Sequence, residues 1–257
     1  MNLKQNWVAF QTLITKEVTR FLRVWTQTIL PSAITMALYF IIFGHLMGSR
    51  IGTLNGIPYI QYIAPGLIMM SVITNAYSNV TSSFFLAKFQ RSIEELLVSP
   101  TPNYLILGGF VMGAVLRGLI VGIVVTLISA LFTDLTVHHF LIMALVVFLA
   151  ALLFSLAGFI NGIFAKKFDD IAIIPTFILT PLTYLGGVFY SVSMLPPIWR
   201  TLSYFNPILY MVNAFRYGVL GVSDVNIGLA LAIITGMIIV LLVLALYLLD
   251  KGVGIRT

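Results

Sequence analysis

Residues 104–132 read YLILGGFVMGAVLRGLIVGIVVTLISALF, with Arg117 as the single charge in the run. About 20 apolar residues in a helix cross the hydrocarbon core of a bilayer, so this stretch is read as a membrane span. Five more runs qualify: 29–47, 60–86, 140–164, 171–191 and 227–249. The run at 60–86 is the most polar of them, being rich in Ser, Thr and Asn. The composition agrees. Of 257 residues 60% are hydrophobic and 9% charged, against roughly 25% charged in soluble domains, and the mean hydropathy is +1.07. A soluble globular chain and a disordered chain are both excluded. With no cysteine, disulfides, thiolate metal sites and cysteine nucleophiles are excluded as well.

The charges orient the bundle. With six spans both termini share a side, which holds 1–28, 87–103, 165–171 and 250–257. Ten cations lie there: Lys4, Lys16, Arg20, Arg23, Lys88, Arg91, Lys166, Lys167, Lys251 and Arg256. The other side holds 48–59, 133–139 and 192–226, with three: Arg50, Arg200 and Arg216. Cationic loops stay in the cytoplasm, so both termini are expected there, and the net charge of +6 requires no nucleic-acid partner. No short apolar core with a small-residue cleavage site precedes residue 29, so the first span is expected to be an uncleaved anchor.

Residues 3–25 place Leu3, Trp7, Phe10, Ile14, Phe21 and Trp25 along one stripe, with most charges off it. This is the pattern of an amphipathic helix in the membrane interface, either as an anchor or as a contact for a cytoplasmic partner. Residues 89–98 suit a short helix ended by Pro100 and Pro102, resting on the bundle or fitting a partner's groove. The segment 192–226 is too broken for a plain loop. Pro196-Pro197 stops a helix, and Asn206-Pro207 reads as an N-cap with Pro at the first helical position. One or two short re-entrant helices are expected there, in the outer leaflet and ahead of the last span.

Several chemistries are absent. All eight acids fall in loops or near span ends, which disfavours an ion-coupled carrier with a midplane carboxylate. The histidines, His45, His138 and His139, lie at outer span ends, which disfavours an intramembrane protease and a metal cluster. No phosphate loop occurs. Polar candidates remain inside the spans. Ser71, Thr74, Asn75, Ser78, Asn79 and Ser82 share one helical face, either as interhelical glue or as the wall of a polar path. Arg117 lies thirteen residues into its span, about 20 Å along it. It is either satisfied by carbonyls of a neighbouring helix or turned toward a transport path or subunit interface. Gly109 and Gly113, Gly118 and Gly122, and Gly158 and Gly162 are pairs four apart that let helices approach within the subunit. Pro175 and Pro181 should bend the fifth span, and Pro65-Gly66 the second.

From residue 179 the chain reads LTPLTYLGGVFYS, then Leu195-Pro196, then Pro207-Ile208-Leu209-Tyr210 and Arg216. This series, with the six-span layout, resembles the ABC-2 type permeases, the membrane subunits of ATP-binding-cassette exporters. It is especially similar to the inner-membrane transport permeases of Gram-negative bacteria. The resemblance marks Gly186, Gly187, Pro196, Pro207, Tyr210 and Arg216 as family-motif positions. It implies an all-α polytopic protein with an interfacial helix at 1–28, a six-span bundle at 29–249 and a cytoplasmic tail at 250–257, all one domain. It implies a homodimer that binds two copies of a separate cytoplasmic ATPase, which holds ATP and Mg, with no cofactor in this chain and no enzyme activity of its own. It places the main ATPase contact on loop 87–103, at Arg91, Glu94 and Glu95. The second falls on loop 165–171, at Lys166, Lys167, Asp169 and Asp170. Substrates across the family run from polysaccharides and lipids to drugs and ions.

Overall fold

In the computed structural model the described residues are 2–54 and 56–254, without the side chains of 45 and 49, so Arg256 and the end of the tail lie outside them. The described residues are mostly helical, and among them one two-stranded sheet pairs β1 (Thr53–Leu54) with β2 (Ile57–Pro58). The helices in order are α1 (Leu3–Arg23), α2 (Trp25–Thr28), α3 (Leu30–Tyr39), α4 (Gly48–Ile51), α5 (Tyr59–Phe89), α6 (Ser92–Val98) and α7 (Asn103–Ser129). They continue as α8 (Phe140–Phe164), α9 (Asp170–Ile174), α10 (Thr180–Leu185), α11 (Pro197–Tyr204), α12 (Pro207–Leu220) and α13 (Ile227–Lys251). Wide π turns occupy Phe40–Met47 after α3 and Pro175–Leu179 between α9 and α10.

Among the described residues four helices are long and apolar enough to cross a membrane: Trp25–Gly44, α7, α8 and α13. They mark a multi-pass membrane protein. The two remaining expected spans differ from these for separate physical reasons. Helix α5 is continuous over 31 residues, about 46 Å at 1.5 Å per residue, but its Ser, Thr and Asn face lowers its apolarity. The fifth segment is apolar over Asp170–Leu185 but short. Pro175 cannot donate a backbone bond, and the ladder widens into the π turn that starts at it. The chain then leaves the helix at Gly186, and Gly187 adopts φ +71°.

Helix α5 is the central rod, packed mainly on α8 and α7 and buried along most of its length. Its neighbours approach through glycine. Gly118 and Gly122 of α7 face Ala76 and Val72, while Gly158 and Gly162 of α8 face Tyr77, Thr81 and Phe84. The outer surface is apolar, as a lipid solvent requires: Leu127, Leu141, Phe177, Val240 and Val243 are all exposed.

Helix α1 is amphipathic, but its inward face is docked on α7. Phe10 covers Gly108, Leu13 covers Gly109 and Glu17 packs on Gly113. Segment 192–226 forms a 3-10 turn at Val192–Met194, then α11 and α12. Asn206 caps α12 by accepting from the Ile208 N–H at 3.0 Å, and its own amide donates to Leu182 O at 2.6 Å. The expected loop helix at 89–98 begins later, at Ser92, because Arg91 takes a left-handed conformation (φ 59°) that breaks α5 from α6.

Candidate functional site

Three polar constellations are strung along α5. At the end where α5 runs into α6, Arg91, Glu94 and Glu95 are exposed, and Ile93 is buried and anchors α6. A left-handed non-glycine residue stores strain of about 1–2 kcal/mol. Lys166, Lys167 and Asp169 of the second loop are exposed as well. Asp170 is engaged within its own loop: one carboxylate oxygen accepts the N–H groups of Lys166 (2.8 Å) and Lys167 (3.0 Å), which holds its pKa below the ordinary aspartate range. Phe168 joins the two loops. Its ring packs edge-on against Phe85 (5.0 Å) and Phe89 (5.1 Å) of α5. Lys88 adds a tie by donating to Ile163 O (2.6 Å) at the end of α8 and Gly254 O (3.0 Å) in the tail.

The second constellation surrounds Arg117. Its guanidinium donates to Asn79 Oδ1 (3.3 Å), Asn75 Oδ1 (3.1 Å) and Thr28 O (3.2 Å), the last lying at the break between α2 and α3. Asn75 also donates to Ser32 Oγ (2.9 Å) and to Ser71 O (3.0 Å). Helix α1 enters the same cluster. Arg20 donates to Asn79 Oδ1 (2.9 Å) and Asn79 O (3.3 Å) and pairs with Glu17 (3.2 Å), while Ser83 donates to Glu17 at 2.6 Å. The polar face of α5 thus divides. Asn75 and Asn79 turn inward and fasten α1, α3 and α7, whereas Ser78 is exposed and Ser82 half-buried, and both Ser71 and Thr74 bond back to their own helix. Glu17 corrects the expectation that every acid lies in a loop or near a span end: it is 2% exposed. Neither its Gly113 seat nor its Ser83 donor is near it in sequence, so no periodicity points to it.

The third constellation lies at the other end of α5 and gathers the motif positions. Gly186, packed against Ile208, and Gly187, beside Leu209, form a tight turn on α12. A Cβ on Gly66 of α5 would meet Val188 O at 2.7 Å, so only glycine lets this turn lie against the rod. Arg216 is fully buried, donates to Gly187 O (2.6 Å) and Tyr62 O (3.3 Å), and stacks over the Tyr62 ring at 4.1 Å. It therefore joins α12, the glycine turn and α5 at one point. Asp224 accepts from Ser191 Oγ (2.8 Å) and the Val192 N–H (3.0 Å), closing the loop after the turn. Pro196 is the extended N-cap residue before α11, Pro207 starts α12, and the Tyr210 hydroxyl donates to Tyr204 O (2.8 Å), which fixes α11 on α12. Tyr62 and Phe168 were not singled out in the sequence, and Lys88 was counted there only as a cytoplasmic cation. The Pro65-Gly66 step was the one signal that marked this part of α5.

The family model described as ABC-2 type transporter matches residues 8–220. The chain is 56% identical over 251 residues to "Inner membrane transport permease YadH" of Escherichia coli strain K12, covering 98% of each chain. It is 26% identical over 178 residues to "Nodulation protein J" of Sinorhizobium fredii, covering 67% of this chain and 66% of that one. It is 23% identical over 217 residues to the protein of that name in Rhizobium leguminosarum bv. viciae, covering 83% of each. The stretch that carries the glycine turn, α12 and Arg216 lies inside the matched region. This chain belongs to the ABC-2 type transporter family, as a multi-pass transport permease of the inner membrane.

Proposed function

We propose that this chain is the membrane-spanning half of an ATP-driven exporter, working as a homodimer with two copies of a separate cytoplasmic ATPase. Six spans carry it through the membrane, α5 and the broken 170–185 segment being the two polar or kinked ones. Both termini are cytoplasmic, and α1 lies toward the interface. Helices α11 and α12 are the re-entrant pair on the outer side. ATP and Mg belong to the partner, because this chain carries no phosphate loop; here the binding energy of that nucleotide becomes movement.

The observation that carries this reading is the single unbroken rod of α5. One end holds the Phe85–Phe89–Phe168 cluster, which packs the second charged loop against the end of α5 that leads into the first. The other end is fastened to the outer turn through Tyr62, Gly66 and Arg216. Interiors packed this closely transmit displacement instead of absorbing it. A push on Arg91, Glu94 and Glu95, with Lys166, Lys167 and Asp169 engaged beside them, would tilt α5. The tilt would shift the glycine turn against α12 and open the path. The Arg117 cluster, halfway along, keeps α1, α3 and α7 moving with the rod. The printed name of the Escherichia coli relative, a transport permease, supports the same reading.

Topology is tested with fusions to a reporter active only in the periplasm. Fused after Thr257 it should be silent, and inserted at His138 it should be active. The reverse pattern, or equal activity at both sites, would remove the docking loops from the side on which the ATPase works.

A further inference from the structure

We propose that residues 250–254, held by Lys88, form with loop 165–169 a cationic patch that docks on an acidic surface of the cytoplasmic ATPase. The inference rests on the function proposed above for the identity of that partner; the fold of the segment does not depend on it. Helix α13 ends in a closed turn. The Gly252 N–H donates to Leu249 O and the Val253 N–H to Leu248 O, both at 3.1 Å, and Gly252 is left-handed (φ +65°). This pair of bonds around a left-handed glycine stops a helix and turns the chain aside. The turn lays Gly254 on the end of α8, where a Cβ would lie 3.0 Å from Ile163 O and φ is +70°. Lys88 Nζ then bridges Gly254 O and Ile163 O. Ile163 belongs to the last turn of α8, where carbonyls lack a helical partner and a cation is favoured. On the other flank Asp250 accepts from Asn103 Nδ2 at 2.6 Å. The segment therefore touches the entry and the exit of loop 87–103 and the entry of the second loop.

The charges brought together there are unequal. Asp250 is engaged by Asn103, and Asp170 by two backbone N–H groups of its own loop. Lys88 is taken up by its two carbonyls. Lys166, Lys167 and Lys251 are exposed and make no ion pair among the described residues, which leaves Asp169 as the acid facing them. Val253, 41% exposed, adds an apolar contact point. Loop 87–103 has the opposite balance, with Glu94 and Glu95 exposed beside Arg91. The docking face is thus acidic on α6 and cationic at the tail. Complementary potentials fix the register of two partners and exclude wrong ones, so this polarity sets which way round the ATPase sits.

The chain has no cysteine, so a single reactive thiol can be introduced. In the complex isolated from its own membrane, Val253→Cys carrying a benzophenone should crosslink to the nucleotide-hydrolysing subunit. Leu127→Cys, on the exposed apolar surface of α7, should not. Lys251→Glu should lower ATP turnover of the complex several-fold at low salt, and raising salt to about 0.5 M should bring wild type down to the same level. Lys88→Met should speed amide exchange of 163–167 and 250–254 about tenfold while 104–129 stays unchanged. Lys88→Arg keeps donors for both carbonyls and should restore the slow exchange. Normal turnover in Lys251→Glu, or no crosslink from Val253, in a complex that retains its ATPase would overturn this proposal alone. A wild-type chain that elutes without an ATPase would overturn it together with the function proposed above. Unchanged exchange in Lys88→Met would overturn the holding role of Lys88.

Discussion

Replacing Arg216 with leucine is expected to loosen the glycine-turn end of α5 more than any other single change at the motif positions. Leucine leaves Gly187 O and Tyr62 O without their donor and uncovers the Tyr62 ring. A buried acceptor stripped of its partner costs about 1–3 kcal/mol, and the lost cation–π contact adds up to about 2 kcal/mol. Relief of the buried charge offsets part of this, so a net loss of about 2–4 kcal/mol is expected. Thermal unfolding in nanodiscs should fall by roughly 5–10 °C. Arg216→Lys keeps the charge but not the planar fork, so it should lie between wild type and Leu. An Arg216→Leu variant as stable as wild type would mean that the glycine turn is held to α5 without this side chain.

The second large effect is on function and should leave the fold intact. Glu94 and Glu95 are exposed on α6, so reversing both to lysine should change stability by no more than about 0.5 kcal/mol. At an interface, like charges set face to face cost several kcal/mol. Glu94→Lys with Glu95→Lys should therefore keep normal membrane abundance while lowering substrate-dependent ATP turnover of the complex at least about tenfold. Normal turnover with normal abundance would show that α6 is not where the ATPase pushes.

What the sequence made legible follows from where each signal resides. The span at 140–164 coincides with Phe140–Phe164 because an unbroken apolar run has no competing signal within it. Asn206-Pro207 located the start of α12 because the cap and the fixed φ are both local. Phe89–Val98 was expected as one helix, and Arg91 breaks it; a left-handed arginine has no composition signature. Glu17 was the main error, since an acid among Lys16, Arg20 and Arg23 reads as solvated until α5 and α7 close over it. Arg117 was legible as a charge out of place. Its partners, Thr28, Asn75 and Asn79, come from two other segments that only packing brings together. The polar face of α5 was visible by spacing, but its division into an inward Asn75–Asn79 half and an outward Ser78 required the neighbouring helices.

The central claim is that this chain converts nucleotide hydrolysis in a partner into movement of α5. Its most direct test is isolation of the affinity-tagged chain from its own membrane in a mild detergent. ATP hydrolysis is then measured in the eluate, with and without the charge reversals at Glu94 and Glu95. The account predicts a co-isolated ATPase carrying its own phosphate loop, in equal amount with this chain, and hydrolysis that rises on reconstitution into lipid and is lost with the reversals. A chain that elutes without any nucleotide-hydrolysing subunit, at normal abundance and still folded, would contradict it.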